Sequence, residues 1–319
     1  MYTILTGGAG FIGANILREL NERGLSDIIV VDNLGTSPKW KNLLGCKFEN
    51  YFNKQEFYEL ISKDFHYFGK VKSVIHMGAC SATTEENMDY LMHNNLHYSQ
   101  LMFNLASEHN APFVYASSAA TYGDGSMGFD DQKDIFRLRP INRYGYSKQL
   151  FDTWIERNNF WSKAIGLKFF NVFGPREDHK GSMVSMVYRG YQQIKKTGKI
   201  KLFASDLRDY ADGEQKRDFV YVKDCAKAVC ELMELRSAGG LYNLGTGIAH
   251  SWNDLAEALF IAIGKKKQIE YFPMPEKLKG SYQYYTKAKM SKFFEVLPNF
   301  KFTPLQEAIK DYVRSYLQK

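Results

Sequence analysis

Seven residues near the N-terminus restrict the fold of this chain more than any other part of it. The run Gly7-Gly8-Ala9-Gly10-Phe11-Ile12-Gly13 lies between an apolar, strand-like segment, Tyr2–Thr6, and an amphipathic segment of helical length, residues 12–23. Gly8, Gly10 and Gly13 have the spacing of a G-x-G-x-x-G fingerprint, and Gly7, Gly10 and Gly13 satisfy a related one. Placed between a strand and a helix, that spacing has a specific use: a tight turn, close approach of backbone to a pyrophosphate, and helix packing against strand. The free amides of the helix start, at Phe11 and Ile12, then meet the phosphates together with the helix dipole. A dinucleotide site built on Gly7, Gly10, Phe11, Ile12 and Gly13 is the expectation.

The second apolar run ends in Val30-Val31-Asp32-Asn33. Asp32 stands close to the offset of about 20 residues at which an acidic side chain meets the adenosine ribose. A carboxylate there favours NAD, because it repels a 2′-phosphate. Lys39, Lys41 and Lys54 follow, however, and each is able to neutralise that phosphate. Residue chemistry leaves NAD and NADP both open.

Strand-like runs at 28–31, 73–76, 112–117 and 164–170 alternate with helix-like stretches at 86–109 and 143–158. The rhythm predicts an α/β fold: a Rossmann-type, doubly wound parallel sheet with helices on both faces. After Gly174-Pro175 the pattern loosens into helical stretches at 184–196, 223–236 and 251–263, which read as a smaller C-terminal substrate-binding α/β lobe. Residues 1–175 are thus expected to form the dinucleotide-binding domain and 176–319 mainly the substrate lobe. The apolar run Gly240-Leu241-Tyr242-Asn243-Leu244-Gly245 suggests that segments near 218–247 rejoin the sheet and interleave the two. The turn-rich, acidic stretch 205–215 reads as an exposed loop.

Composition removes other classes. The 319 residues, 45% hydrophobic and 24% charged, hold no apolar run long enough for a membrane span and begin without a secretory leader, so a cytoplasmic protein is expected. The net charge of +7 is spread along the chain without a basic block, which points to a phosphate-bearing small substrate and against nucleic acid. Cys46, Cys80, Cys225 and Cys230 have no metal-site spacing and read as reduced thiols. His93 and His97 are one helical turn apart but lack a third ligand, so no metal is expected.

Tyr144-Gly145-Tyr146-Ser147-Lys148 opens a helix-like segment, and the four-residue spacing puts Tyr144 and Lys148 on one helical face. A phenol with a pKa near ~10 is a poor base at neutral pH, and a neighbouring ammonium lowers that value. Upstream, Tyr115-Ala116-Ser117-Ser118-Ala119-Ala120-Thr121-Tyr122-Gly123 follows a strand, where a hydroxyl can hold a substrate oxygen that becomes a carbonyl. In parallel sheets ligands sit at that carboxyl end.

With the glycines, the serine segment and the tyrosine–lysine pair in this order, the chain resembles the extended short-chain dehydrogenase/reductase superfamily. The resemblance implies that Ser118 orients the substrate, Tyr144 is the acid/base, and Lys148 binds ribose and tunes the tyrosine. Further strings narrow it: His76-Met77-Gly78-Ala79-Cys80-Ser81, Phe169-Phe170-Asn171-Val172-Phe173-Gly174-Pro175-Arg176-Glu177, His179-Lys180-Gly181-Ser182-Met183, Lys216-Arg217-Asp218-Phe219-Val220-Tyr221-Val222 and Lys277-Leu278-Lys279-Gly280. Over nearly its whole length the chain resembles the ADP-heptose 6-epimerases, which make a precursor of the lipopolysaccharide inner core.

That family's usual cofactor is NADP, which gives Lys39 and Lys54 the phosphate. The resemblance further implies transient oxidation at the heptose carbon 6 with Tyr144 and Lys180 as alternative acid/base groups, Lys180 also bordering the cofactor. Lys180 would have to be neutral part of the time, through desolvation or nearby charge, with His179 and Arg176 as candidates for the latter. A phosphate contact is the other reading of Lys180. Asp32, Asn33, Met77, Gly78, Ala79, Cys80, Ser81, Asn94 and Val172 would border the cofactor. Asn171, Ser182, Arg189, Phe203, Ala204, Ser205, Asp206, Arg217 and Tyr282 would hold ADP-heptose, Arg217 suiting a diphosphate through its two-pronged donor geometry. A homo-oligomer, a pentamer by family habit, is also implied. Two positions depart from the family: Met77 replaces a common glutamate, and the 206–215 loop is long. Tyr282, Tyr284 and Tyr285 form an aromatic group able to face adenine or to pack in a core. A UDP-sugar 4-epimerase shares the triad, as would a dinucleotide-sensing protein that kept only the fold. A 4,6-dehydratase is disfavoured because Ala119-Ala120 follow Ser118 where it carries an Asp-Glu pair.

Overall fold

The computed structural model describes residues 1–235, 238–276 and 282–319; the Lys277-Leu278-Lys279-Gly280 string lies outside them. Strands β1 (Tyr2–Thr6), β2 (Ile28–Asp32), β3 (Asn50–Asn53), β4 (Val71–His76), β5 (Phe113–Ser118) and β6 (Ala164–Phe169) join a later strand, Gly240–Leu244, in one seven-stranded sheet. Every pairing in it is parallel, and across the sheet the strands run Gly240–Leu244, β6, β5, β4, β1, β2, β3. Strand order therefore reverses at the β1/β4 border, and a crevice opens beyond the carboxyl ends of these two strands.

Alternation along the strands builds two cores. Leu5, Val30, Ile75 and Val114 face helix Phe11–Glu22, through Ile16, Leu17 and Leu20, and helix Val222–Glu234, through Cys225 and Val229. Ile4, Ile29, Val31, Val74 and Phe113 point the other way, onto Met102 and Phe103 of helix Tyr98–Glu108 and Phe151 and Ile155 of helix Arg143–Arg157. A third core holds Val187, Tyr191, Ile194, Ile200, Leu202, Leu255, Leu259, Leu305 and Ile309. It is built by helices Met186–Thr197, Trp252–Ile263 and Leu305–Tyr312 with strands Ile200–Phe203 and Ile269–Phe272, which pair in parallel. A small sheet of Asn171–Phe173, Lys216–Tyr221 and Ala249–Ser251 lies between.

Two features differ from the sequence expectation. The helical stretch at 86–109 is not uniform: Met88–Leu91 and Tyr98–Glu108 flank a π-helical turn, Met92–His97, which buries Asn94 and Asn95 and leaves His93 and His97 exposed. The 205–215 stretch is exposed over 206–209, but its end tucks in, burying Gly213 and Gln215. Among the described residues no group of three metal-ligating side chains forms, and no helix is long and apolar enough to cross a membrane. All four cysteines are free, Cys225 and Cys230 buried in a helix.

Candidate active site

The glycine turn is held by backbone contacts that admit no side chain. Gly7 has φ +68°, and a Cβ on it would lie 2.7 Å from the Gly78 nitrogen; one on Gly13 would lie 2.1 Å from the Gly7 oxygen. The helix that follows starts at Gly10 with no side-chain cap and no acidic residue in its first turn, whereas Asn142 and Ser251 cap their helices with side-chain oxygens. Its first amides stay open to an anion.

Asp32 is buried at the end of β2, where its carboxylate accepts from Ala9 N (2.9 Å), Asn33 N (2.6 Å) and Lys39 Nζ (2.6 Å). Lys54, at the start of a helix capped by Asn53, donates to Asn94 Oδ1 (2.6 Å), and burial lowers its pKa. Asp32, Asn33, Lys39, Lys54, Gly78, Ala79, Cys80 and Asn94 line one crevice with Gly7. Lys41 does not join them; it lies on another surface, near Arg18 and Tyr316. Thr6 and His76, to which the sequence reading gave no role of their own, fasten the crevice floor: Thr6 Oγ1 is 2.6 Å from His76 Nδ1 and accepts the Gly78 amide at 3.1 Å. Asn95 was also passed over; it accepts from Cys80 N (2.8 Å) and donates to Cys80 O (3.0 Å), holding the 77–81 loop.

A second cleft is bordered by Phe11, Ile12, Met77, Ala79, Ser81, Ser118, Tyr144, Lys148, Asn171, Val172 and Lys180. Because Ala79 belongs to both, the cleft continues the dinucleotide crevice. Ser118 ends β5 and caps the short helical turn after it, accepting Ala120 N at 3.1 Å. Lys148 is buried with Nζ 2.9 Å from the Ala116 oxygen, and desolvation brings its pKa down to about 8 against the pull of Asp152. Burial pushes the Tyr144 phenol up, and the Ser118 hydroxyl beside it opposes the rise. The expected lowering by Lys148 is thus not what dominates here: the ammonium is turned to a backbone oxygen.

Lys180 enters from the turn Asp178–Met183 and stands 5.0 Å from the centre of the Phe11 ring. Its pKa is lowered by burial, opposed by Glu177. Desolvation rather than positive charge from His179 or Arg176 therefore does the lowering. Glu177 is fully buried and bound by the Ser185 hydroxyl at 2.7 Å, so it fixes the turn.

Arg217 is 6% exposed, stacked 4.8 Å from the Tyr282 ring centre and 5.7 Å from that of Trp252, with Trp252 Nε1 donating to Tyr282 Oη at 2.9 Å. No carboxylate pairs with Arg217 among the described residues, and burial lowers its pKa. A desolvated guanidinium without a counterion suits an anionic ligand. Trp252 borders the cleft and was missed by sequence reasoning. Phe203 meets Tyr282 edge-on at 6.1 Å, Ala204 N bonds Phe272 O at 2.8 Å, Ser205 N bonds Asp212 Oδ1 at 2.8 Å, and Asp206 accepts from Tyr284. Ser182 and Arg189 are exposed and bonded to each other, and the structure does not bring them to the cleft wall.

Residues 3–245 match the family described as "NAD dependent epimerase/dehydratase family". The ADP-L-glycero-D-manno-heptose-6-epimerase of Nitratidesulfovibrio vulgaris is 49% identical over 98% of this chain and 97% of its own. Among solved structures, the Helicobacter pylori ADP-L-glycero-D-manno-heptose-6-epimerase superposes with a TM-score of 0.81 at 27% identity, covering 98% of this chain and 95% of that one. A Thermus thermophilus UDP-glucose 4-epimerase, solved with NAD, gives 0.76 at 25% identity and 98% coverage of both. The glycine turn, the serine–tyrosine–lysine strip and these likenesses together lead to one conclusion: the chain belongs to the NAD dependent epimerase/dehydratase family and, within it, to the ADP-L-glycero-D-manno-heptose-6-epimerases.

Proposed function

We propose that the chain inverts carbon 6 of the heptose in ADP-D-glycero-D-manno-heptose, giving the L-glycero epimer for the lipopolysaccharide inner core, with a retained NADP. The observation that carries this reading is that Ser118, Tyr144 and Lys148 share one cleft with Lys180, which comes from a separate element, at the end of the dinucleotide crevice. Two acid/base groups of different origin suit a reaction that must deliver and remove a proton at two orientations of one oxygen.

The crevice fits a dinucleotide on its own chemistry: uncapped helix amides, an acid at the ribose end, and lysines for phosphate. Lys39 on the Asp32 carboxylate supports NADP, because it offsets the repulsion that Asp32 alone would exert on a 2′-phosphate. A nicotinamide bound there supplies a hydride acceptor that later becomes the donor. Tyr144, in the phenolate form that the Ser118 hydroxyl favours against burial, would take the proton of the hydroxyl being oxidised, while Ser118 donates to the oxygen and Lys148 holds the ribose. Lys180, kept partly neutral by burial, exchanges the proton when the carbonyl is presented from its other face. Arg217, enclosed by Trp252 and Tyr282, holds the substrate diphosphate.

Incubation of the purified protein with ADP-D-glycero-D-manno-heptose, followed by separation of the epimers, tests this directly. Interconversion without added cofactor is expected. No interconversion, with turnover of UDP-glucose to UDP-galactose instead, would replace the heptose reading with a 4-epimerase.

A further inference from the structure

Beneath the Tyr144–Lys148 strip lies a polar cluster with no surface exposure and no place in the chemistry above. Asp152, one helical turn beyond Lys148, is fully buried. Its carboxylate accepts from Tyr115 Oη (2.8 Å), Ser117 Oγ (2.7 Å) and Lys168 Nζ (3.0 Å). Lys168, on β6, is equally buried; it also donates to Thr121 and sits 4.9 Å from the centre of the Tyr122 ring. Thr121 Oγ1 in turn donates to the Ser118 carbonyl at 2.8 Å.

The cluster joins both halves of the redox strip. Tyr115 and Ser117 flank Ala116, whose carbonyl holds Lys148 Nζ, while Thr121 holds the backbone of Ser118. Lys168 and Asp152 form a fully buried ion pair one helical turn from the buried Lys148, an arrangement that costs several kcal/mol per ion unless it is well bonded. A fold needing only packing would do better with apolar residues at these positions.

We infer that Asp152 is a positioning residue for the reaction: through Tyr115 and Ser117 it fixes the Ala116 carbonyl that holds Lys148 Nζ, it places a carboxylate one helical turn from that ammonium, and Lys168 is the latch that ties it to Ser118 through Thr121. The inference rests on the role given to Lys148 above. Without Asp152, the charged form of Lys148 loses its largest electrostatic support and keeps Cys80 and the Ala116 carbonyl; His76, Tyr115, Tyr144, Tyr122 and Lys168 are the other titratable groups around the two residues, from β4, β5, the helix itself, the turn after β5, and β6. Loss of the carboxylate therefore moves Lys148 deprotonation to lower pH.

The test is the pH dependence of dinucleotide affinity, measured by titrating cofactor-stripped protein with NADP and, in parallel, NAD, alongside kcat and KM. The unsubstituted protein should weaken its grip as pH rises through about 8. In Asp152→Asn this break should move down by about one pH unit or more, the shift expected for losing a nearby opposite charge, with kcat falling more than KM. Lys168→Met should lower kcat through Ser118 without moving the break down. If Asp152→Asn does not fold, Asp152→Asn with Lys168→Met removes both charges together and should move the break down by less, because Lys148 also loses the repulsion of Lys168. A break that stays in place in Asp152→Asn, or in the double variant where the single one does not fold, overturns the inference. The affinity arm needs no turnover, so it reports on Asp152 even if Tyr144→Phe proves active and the acid/base reading falls.

Discussion

Lys39 Nζ lies 2.6 Å from the Asp32 carboxylate, and the same carboxylate accepts the Ala9 amide of the glycine turn at 2.9 Å. The acid that would reject a 2′-phosphate is thus balanced by a cation in the crevice. Lys39→Ala should weaken NADP binding more than NAD binding, by roughly tenfold, or about 1.4 kcal/mol. Titration of cofactor-stripped protein with each dinucleotide measures it; equal losses for both would remove Lys39 from the phosphate site.

Gly13→Ala sets a Cβ 2.1 Å from the Gly7 carbonyl oxygen, a backbone atom that cannot turn aside. The turn must shift, at a cost of about 1–3 kcal/mol, and purified protein should lose its retained dinucleotide. Gly24→Ala is the control: φ is +81° with open space around the new Cβ, so it should carry about 1 kcal/mol of backbone strain with cofactor content unchanged. Chemical denaturation and cofactor release on heating report both quantities.

Tyr144→Phe should lower kcat by roughly 10²–10⁴-fold, the range for a lost acid/base group, while dinucleotide stays bound. Lys180→Ala should do the same if it serves as the second base. Near-normal kcat with a raised KM in Lys180→Ala would instead assign Lys180 to substrate phosphate.

His76 is buried between Thr6 and Ser99, and burial, with Lys148 adding to it, pushes its pKa down to about 3. The unfolded chain regains the ordinary value near 6.5, so between about 6.5 and 3 it binds one more proton than the folded protein. Stability should then fall as pH drops through that window, by up to about 1.4 kcal/mol per pH unit from this residue. Urea denaturation at pH 7 and pH 5 should show a smaller loss in His76→Gln than in the unsubstituted protein; equal losses would mean that His76 is not the titrating group.

The dinucleotide half of the site was legible because it is local. A glycine run between strand and helix fixes its own turn, and Tyr144 with Lys148 shares a helical face by spacing alone, so both reach the crevice and cleft they suggested. Asn171, Val172 and Lys180 border the cleft, whereas Ser182 and Arg189 bond to each other outside its wall. The edge strand β3, the π-helical turn and Asn95 had no readable signal: one is short and half-polar, and the others depend on what packs against them.

The amino-acid sequence by itself determined the parallel α/β architecture, the glycine turn and the order of serine, tyrosine and lysine, since each follows from periodicity or from contacts within a few residues. Only the tertiary structure decided the charge state around them. Lys39 on Asp32, Asp152 bonded to Lys168 one helical turn from Lys148, and Arg217 between Trp252 and Tyr282 with no carboxylate partner among the described residues depend on burial and on partners distant along the chain. Desolvation energy belongs to a place in the fold rather than to a residue type, which is why no spacing in the sequence announces it.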